Sequence, residues 1–163
     1  MENNTKSKYI HLHALELDKI LERASLLTSC DDARQLMLSV TPQKELSRVN
    51  ALLSETNDAH SLTGRFGSPS FGGLVNITDS LKRSKTGSAL STAELLQTAK
   101  VLHVIRSLTE WRKRFATTHT VLDARFDMLS PNRFLEEKIT SSILSEDEIA
   151  DNATPELAAI RRR

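Results

Sequence analysis

The chain of 163 residues is long enough to bury a core and about the size of one domain. A net charge of +1 excludes a whole-protein field drawing it to nucleic acid or membrane, and 4% aromatic content is low for base stacking or an all-β core. The single cysteine, Cys30, excludes an internal disulfide and a cysteine-based zinc site, and no apolar run approaches the length of a membrane span.

Residues 1–10, opening MENNTKSKY, lack an apolar signal core and read as a disordered leader. Leu17, Ile20, Leu21, Ala24 and Leu27 then fall at helical spacing, with Asp18 as a cap or first-turn acid. Ser29 is placed to cap a second helix over 30–40, with Ala33, Leu36, Met37 and Val40 inward. Thr41-Pro42 pairs a cap residue with the proline that the first helical position tolerates. It predicts a third helix running to about Thr63, with Leu46, Val49, Leu53 and Thr56 on its seam and Gly64 closing it. Four glycines and a proline between Gly64 and Gly73 mark the main connector. A phosphate cradle there would need the P-loop spacing, or GxGxxG behind a strand, and neither is present. Val75, Ile77 and Leu81 predict a short helix ending near Lys85.

The stretch from Ser91 to Phe115 contains no proline or glycine and opens with Ser91 three residues before Glu94, the capping-box spacing. Fully helical, it would extend about 37 Å. Leu95, Leu96, Ala99 and Leu102 share one side of its first half. Val101, Val104, Ile105, Leu108, Trp111 and Phe115 share roughly the opposite side, mostly in the second half. A helix lying on one partner keeps one stripe; a helix that changes faces is a strut packed on both sides.

Beyond it, a short helical piece is predicted over 121–129. Ser130-Pro131 repeats the cap-then-proline device ahead of a helix with Phe134, Leu135, Ile139 and Ile143 inward. Residues 145–152 form an acidic turn, and Thr154-Pro155 starts a last helix with Leu157 and Ile160 on one face. No strand is predicted. The fold class is therefore all-α, an irregular helical bundle around one long central helix.

Catalytic constellations are absent. His11, His13, His60, His103 and His119 make no H-x-x-x-H spacing, so surface or packed histidines are the reading. Cys30 lies beside Asp31 and Asp32, which oppose a thiolate, and reads as an inert thiol. The pairs Glu136-Glu137 and Glu146-Asp147 read as solvated faces. Three basic clusters remain as candidate phosphate contacts: Lys82, Arg83 and Lys85; Arg112, Lys113 and Arg114; Arg161, Arg162 and Arg163. Arg112, Lys113 and Arg114 fan by about 100° per residue and form no single stripe, and ordinary exposed helix charge is the favoured reading for each of the three clusters. Any nucleic-acid contact through these clusters would be to backbone rather than bases.

Several segments carry a family resemblance. ALELDKILERAS near the start is similar to the opening helix of the bacterial MutS paralogue that ends in an Smr domain. Leu81-Lys82-Arg83, Gly87, Leu90-Ser91 and Glu94-Leu95-Leu96 resemble that family's block joining two core helices, and the third helix, ending SETNDAHSL, fits as well. Ile149, Asp151, Thr154, Pro155, Glu156, Leu157, Ile160 and Arg161 fall on the segment that leads from core into a long lever helix. Ser145-Glu146-Asp147-Glu148 departs from the family's usual Asp-Gly turn.

The resemblance implies a leader over 1–10, a MutS-like core over 11–153 and the start of a lever helix, cut short, over 154–163. It implies a non-catalytic segment, with no cofactor of its own, that connects ATPase to lever and clamp. The parent it implies is a cytoplasmic, homodimeric ATPase using ATP and Mg²⁺, with nuclease activity in the Smr domain of some members. That parent acts on branched DNA or stalled ribosomes, not on a membrane. A self-contained helical adaptor for a partner protein is the alternative.

Overall fold

The computed structural model describes residues 14–162. Its contacts divide the chain into two compact units, with the boundary between Gln43 and Lys44. The described residues hold eight helices and one two-stranded hairpin, a predominantly α architecture.

In the first unit, α1 (Leu17–Ser25) and α2 (Asp31–Leu38) pack on each other. Asp31 and Asp32 occupy the first turn of α2, where the helix dipole favours acids. The residue before this helix is Cys30, and no side chain caps it, so Ser29 does not serve as expected. Leu17, Leu21, Ala24, Ala33 and Met37 are half-buried. Ile20, Leu27, Leu36 and Val40 are exposed, so only part of each expected apolar face is covered.

The second unit begins with α3 (Leu46–Phe66), four residues later than Thr41-Pro42 predicts. The Thr41 cap goes unused; the Gln43 side chain instead donates to the Thr41 carbonyl at 3.1 Å. The helix also runs through Gly64 and ends at Gly67, whose φ of 80° and ψ of 159° place it in an extended positive-φ conformation that only glycine adopts freely. An interior glycine costs about 1 kcal/mol relative to alanine. The extra turn offsets this by carrying Phe66 onto Phe115, ring on ring at 4.0 Å.

After α4 (Thr78–Lys85) comes the strut, α5 (Thr92–Lys113). Its capping box is complete: the Ser91 hydroxyl accepts from the Glu94 amide at 3.3 Å, and Glu94 Oε2 accepts from the Ser91 amide at 2.9 Å. The change of faces is real. In the first half Ala99 packs with Ile139 and Ile143, flanked by Leu95 and Leu96. In the second half Trp111 and Phe115 pack with Leu62, flanked by Phe66, Leu122 and Phe126.

The second unit then completes itself with α6 (Asp123–Asp127), α7 (Arg133–Ser142), β1 (Ile143–Ser145), β2 (Glu148–Ile149) and α8 (Pro155–Arg161). At α7 the cap is Asn132, whose side chain accepts from the Leu135 amide at 3.0 Å, so Pro131 lies outside the helix. Ile139 and Ile143 are buried as expected, but Phe134 and Leu135 are exposed and Glu136 takes the inward position. The acidic turn is the tip of the unpredicted hairpin. Ile143 pairs with Ile149 and Ser145 with Glu148, leaving Leu144 as an extra residue. Glu146 and Asp147 both keep negative φ, so the tip is not the primed turn that an Asn-Gly or Asp-Gly pair makes, and the bulge absorbs the mismatch. At α8 the Thr154 cap and Pro155 at the first position appear as predicted.

Candidate nucleic-acid interface

The three basic clusters lie apart. Lys82, Arg83 and Lys85 fill the last turn of α4, where cations complement the dipole. Arg83 pairs with Glu94, whose Oε1 also accepts from the Ser80 hydroxyl at 2.7 Å, so the capping-box acid fastens α4 to the start of the strut. Lys82 reaches Asp79 at 3.1 Å on the surface. Arg161 donates to Asp151 and to the Ile149 carbonyl, tying α8 to the hairpin. The hairpin in turn accepts, through the Glu146 carbonyl, from the Thr92 hydroxyl at the same end of α5.

The middle cluster sits at the far end of the strut, and its first member does structural work. Arg112 is no exposed helix charge, with only 13% of its side chain accessible. Its guanidinium donates to the carbonyls of Phe115 (2.9 Å) and Thr118 (2.8 Å) and to Asp123 Oδ1 (2.6 Å). It also lies over the rings of Phe115 and Phe126. Arg112 therefore ties together the carbonyls of the turn after the helix and fixes the elbow into α6. The hydrogen bond from Arg112 pulls the Asp123 carboxyl down to about 2, helped by Thr120. Among the described residues, Lys85, Lys113, Arg114 and Arg162 are exposed and carry no side-chain hydrogen bond or ion pair, which leaves them open to solvent anions. Arg163 lies outside the described residues, as do His11 and His13.

A second polar site was not legible as such. Glu136, read as solvated, is buried between α7 and the middle of the strut. Arg106 grips it with two nitrogens, Nε to Oε2 at 2.9 Å and Nη2 to Oε1 at 2.8 Å, and His103 Nδ1 stands 3.0 Å from Oε1. These bonds, Arg106 first and His103 after desolvation, hold the Glu136 carboxyl at about 2 and keep Arg106 above its ordinary range. The partners are 30 and 33 residues from Glu136, so no local spacing announces them. Glu110 binds Arg106 from the next turn at 3.3 Å and completes the cluster.

Among the described residues, no group of three or more His, Cys, Asp or Glu side chains is placed to hold a metal ion. No described helix is long and apolar enough to cross a membrane. Cys30 is a free thiol, partly covered.

No family model matches the sequence. Known proteins do match it over most of its length. It is 44% identical to the endonuclease MutS2 of Ruminiclostridium cellulolyticum over 151 residues, 91% of this chain and 19% of that protein. To the endonuclease MutS2 of Acetivibrio thermocellus it is 39% identical over 155 residues, 93% of this chain and 20% of that protein. The endonuclease MutS2 of Clostridium perfringens is 33% identical over 153 residues, again 93% of this chain and 20% of that protein. The chain thus spans about a fifth of the length of the curated relatives it matches.

Proposed function

We infer that this chain, a relative of the MutS2 proteins along 91% of its own length, works as the helical core of a MutS-like clamp ATPase engaging branched DNA or stalled ribosomes. Its part is mechanical and non-catalytic: α5 passes displacement between lever and ATPase. The observation that carries this reading is that the strut is held at both ends, on opposite faces, by unlike partners. ATP and Mg²⁺ belong in this reading to regions outside the matched fifth, as do nuclease chemistry and homodimer formation. Residues 154–163 act as the root of the lever helix, and the cytoplasm is the working compartment.

Nucleic-acid contact falls to the uncommitted cations Lys85, Lys113, Arg114 and Arg162, with Lys82 weakly held and Arg163 beside them in sequence. Arg83, Arg112 and Arg161 serve the fold first. Fluorescence anisotropy of the 163-residue chain with four-way DNA junctions, and sedimentation with ribosomes, test this. Binding should fall steeply with salt, and a double K113E/R114E variant should reduce the log–log salt slope by about 2. Salt-insensitive binding, or ATP turnover by the chain alone, would overturn the reading. Exposed Phe134 and Ile160, at 79% and 70% accessibility, favour the second reading of a helical adaptor. Retention of a partner protein with no affinity for DNA or ribosomes would select that adaptor.

A further inference from the structure

A groove of 290 Å³ opens where the Gly72-Gly73 segment passes over the first half of α5 and the side of α7. Its floor is apolar, made by half-buried Leu96 and buried Ala99. Glycines make its wall. Gly73 has φ of +91°, and a Cβ there would stand 3.9 Å from the Lys100 Cβ; one at Gly72 would meet only Ser70 Oγ, at 3.6 Å. The wall is low enough for a main chain to approach.

The charge on the rim decides what fits. Glu136 reaches the groove from α7, but its oxygens are taken by Arg106 and His103. Lys100 is exposed and has no ion pair or side-chain hydrogen bond among the described residues. The site therefore presents one uncommitted cation above an aliphatic floor. Among its lining residues His103 alone carries a ring, and its Nδ1 is turned to Glu136, so the aliphatic floor itself offers a nucleobase no aromatic face.

We propose that this groove docks an acidic segment of a partner protein, seating one aliphatic side chain on Leu96 and Ala99 and pairing a carboxylate with Lys100. The inference stands apart from the clamp reading, since it uses none of the residues assigned there to phosphate. An apolar anchor with a few placed polar groups is the usual composition of such a site. The ion pair at the rim supplies orientation more than affinity.

The probe is a synthetic decapeptide of aspartate and glutamate with one central leucine, titrated into the isotope-labelled 163-residue chain and followed by amide chemical shifts. Shifts should saturate and centre on Gly72, Gly73, Leu96 and Lys100. Lys100→Glu should weaken binding about tenfold or more, because attraction becomes repulsion at the rim. Gly72→Leu, which needs no left-handed backbone, should weaken it by narrowing the wall, while Lys113→Glu should leave it unchanged. Circular dichroism of each variant confirms the fold. Four results would overturn the proposal: no saturable shifts; shifts centred elsewhere; equal binding by a lysine-for-acid peptide; or the same amides answering to oligothymidylate or to self-association with the acidic peptide inert.

Discussion

The two halves of α5 hold their neighbours by different chemistry. Near its start the strut faces a small aliphatic cluster of Ala99, Ile139 and Ile143, and just past its midpoint Arg106 and His103 hold α7 through Glu136. Near its end it faces rings: Trp111 meets Phe115 edge-on at 4.6 Å, and Phe115 stacks on Phe66, with Arg112 laid across the elbow. Aromatic burial tolerates small shifts, because area and dispersion change gradually. A buried two-pronged ion pair does not, because losing its geometry strands charge away from water. The contact with α7 is thus specified by register and the aromatic end by bulk.

Substitutions can break this contrast, beginning with the costliest. Trp111→Ala should cost about 3–5 kcal/mol in urea denaturation, since it empties the centre of the aromatic cluster. Glu136→Ala should cost about 2–3 kcal/mol, below the range for a fully buried pair because Arg106 keeps some access to water. Replacing both partners, with Arg106→Met and Glu136→Leu, should recover most of that loss, whereas no second-site change recovers Trp111→Ala. Acid sharpens the same comparison. Both Glu136 and Asp123 are pulled down to about 2 in the folded chain from ordinary values of 4.5 and 3.8. Their contribution is complete above about pH 4.5 and drains away as pH falls toward 2. Glu136→Gln should flatten that fall in thermal melts across this window, and Asp123→Asn should flatten it further.

Smaller effects belong to the strut's start. Ser91→Ala removes one arm of the capping box and should cost about 1 kcal/mol, seen as earlier fraying of the first turn by circular dichroism. Lys113→Ala, an exposed charge, should change stability by less than about 0.5 kcal/mol while lowering affinity for nucleic acid.

The strut was legible because its signals are local and agree with one another: the Ser91–Glu94 spacing, an uninterrupted run, and two apolar stripes that swap sides. Thr154-Pro155 was legible for the same reason. Where two local cues compete, sequence alone ranks them poorly. Asn132 outbids Ser130-Pro131 as the cap, and Phe66, by packing on Phe115, carries the helix past Gly64. The hairpin escaped because β1 and β2 are three and two residues long, too short for alternation to register. Glu136 and Arg112 escaped for a deeper reason. Each looks like surface charge beside similar neighbours, and its burial is decided by partners that arrive through tertiary packing.

Native-state hydrogen exchange across α5 in an Ile139→Ala variant tests most directly whether the strut is one mechanical piece. If it is, amides near Leu108 to Trp111, at the aromatic end, should lose protection by the same amount as those around Ala99. Loss confined to the residues around Ala99, with the aromatic half as protected as before, would mean two independent halves and no transmission along the helix.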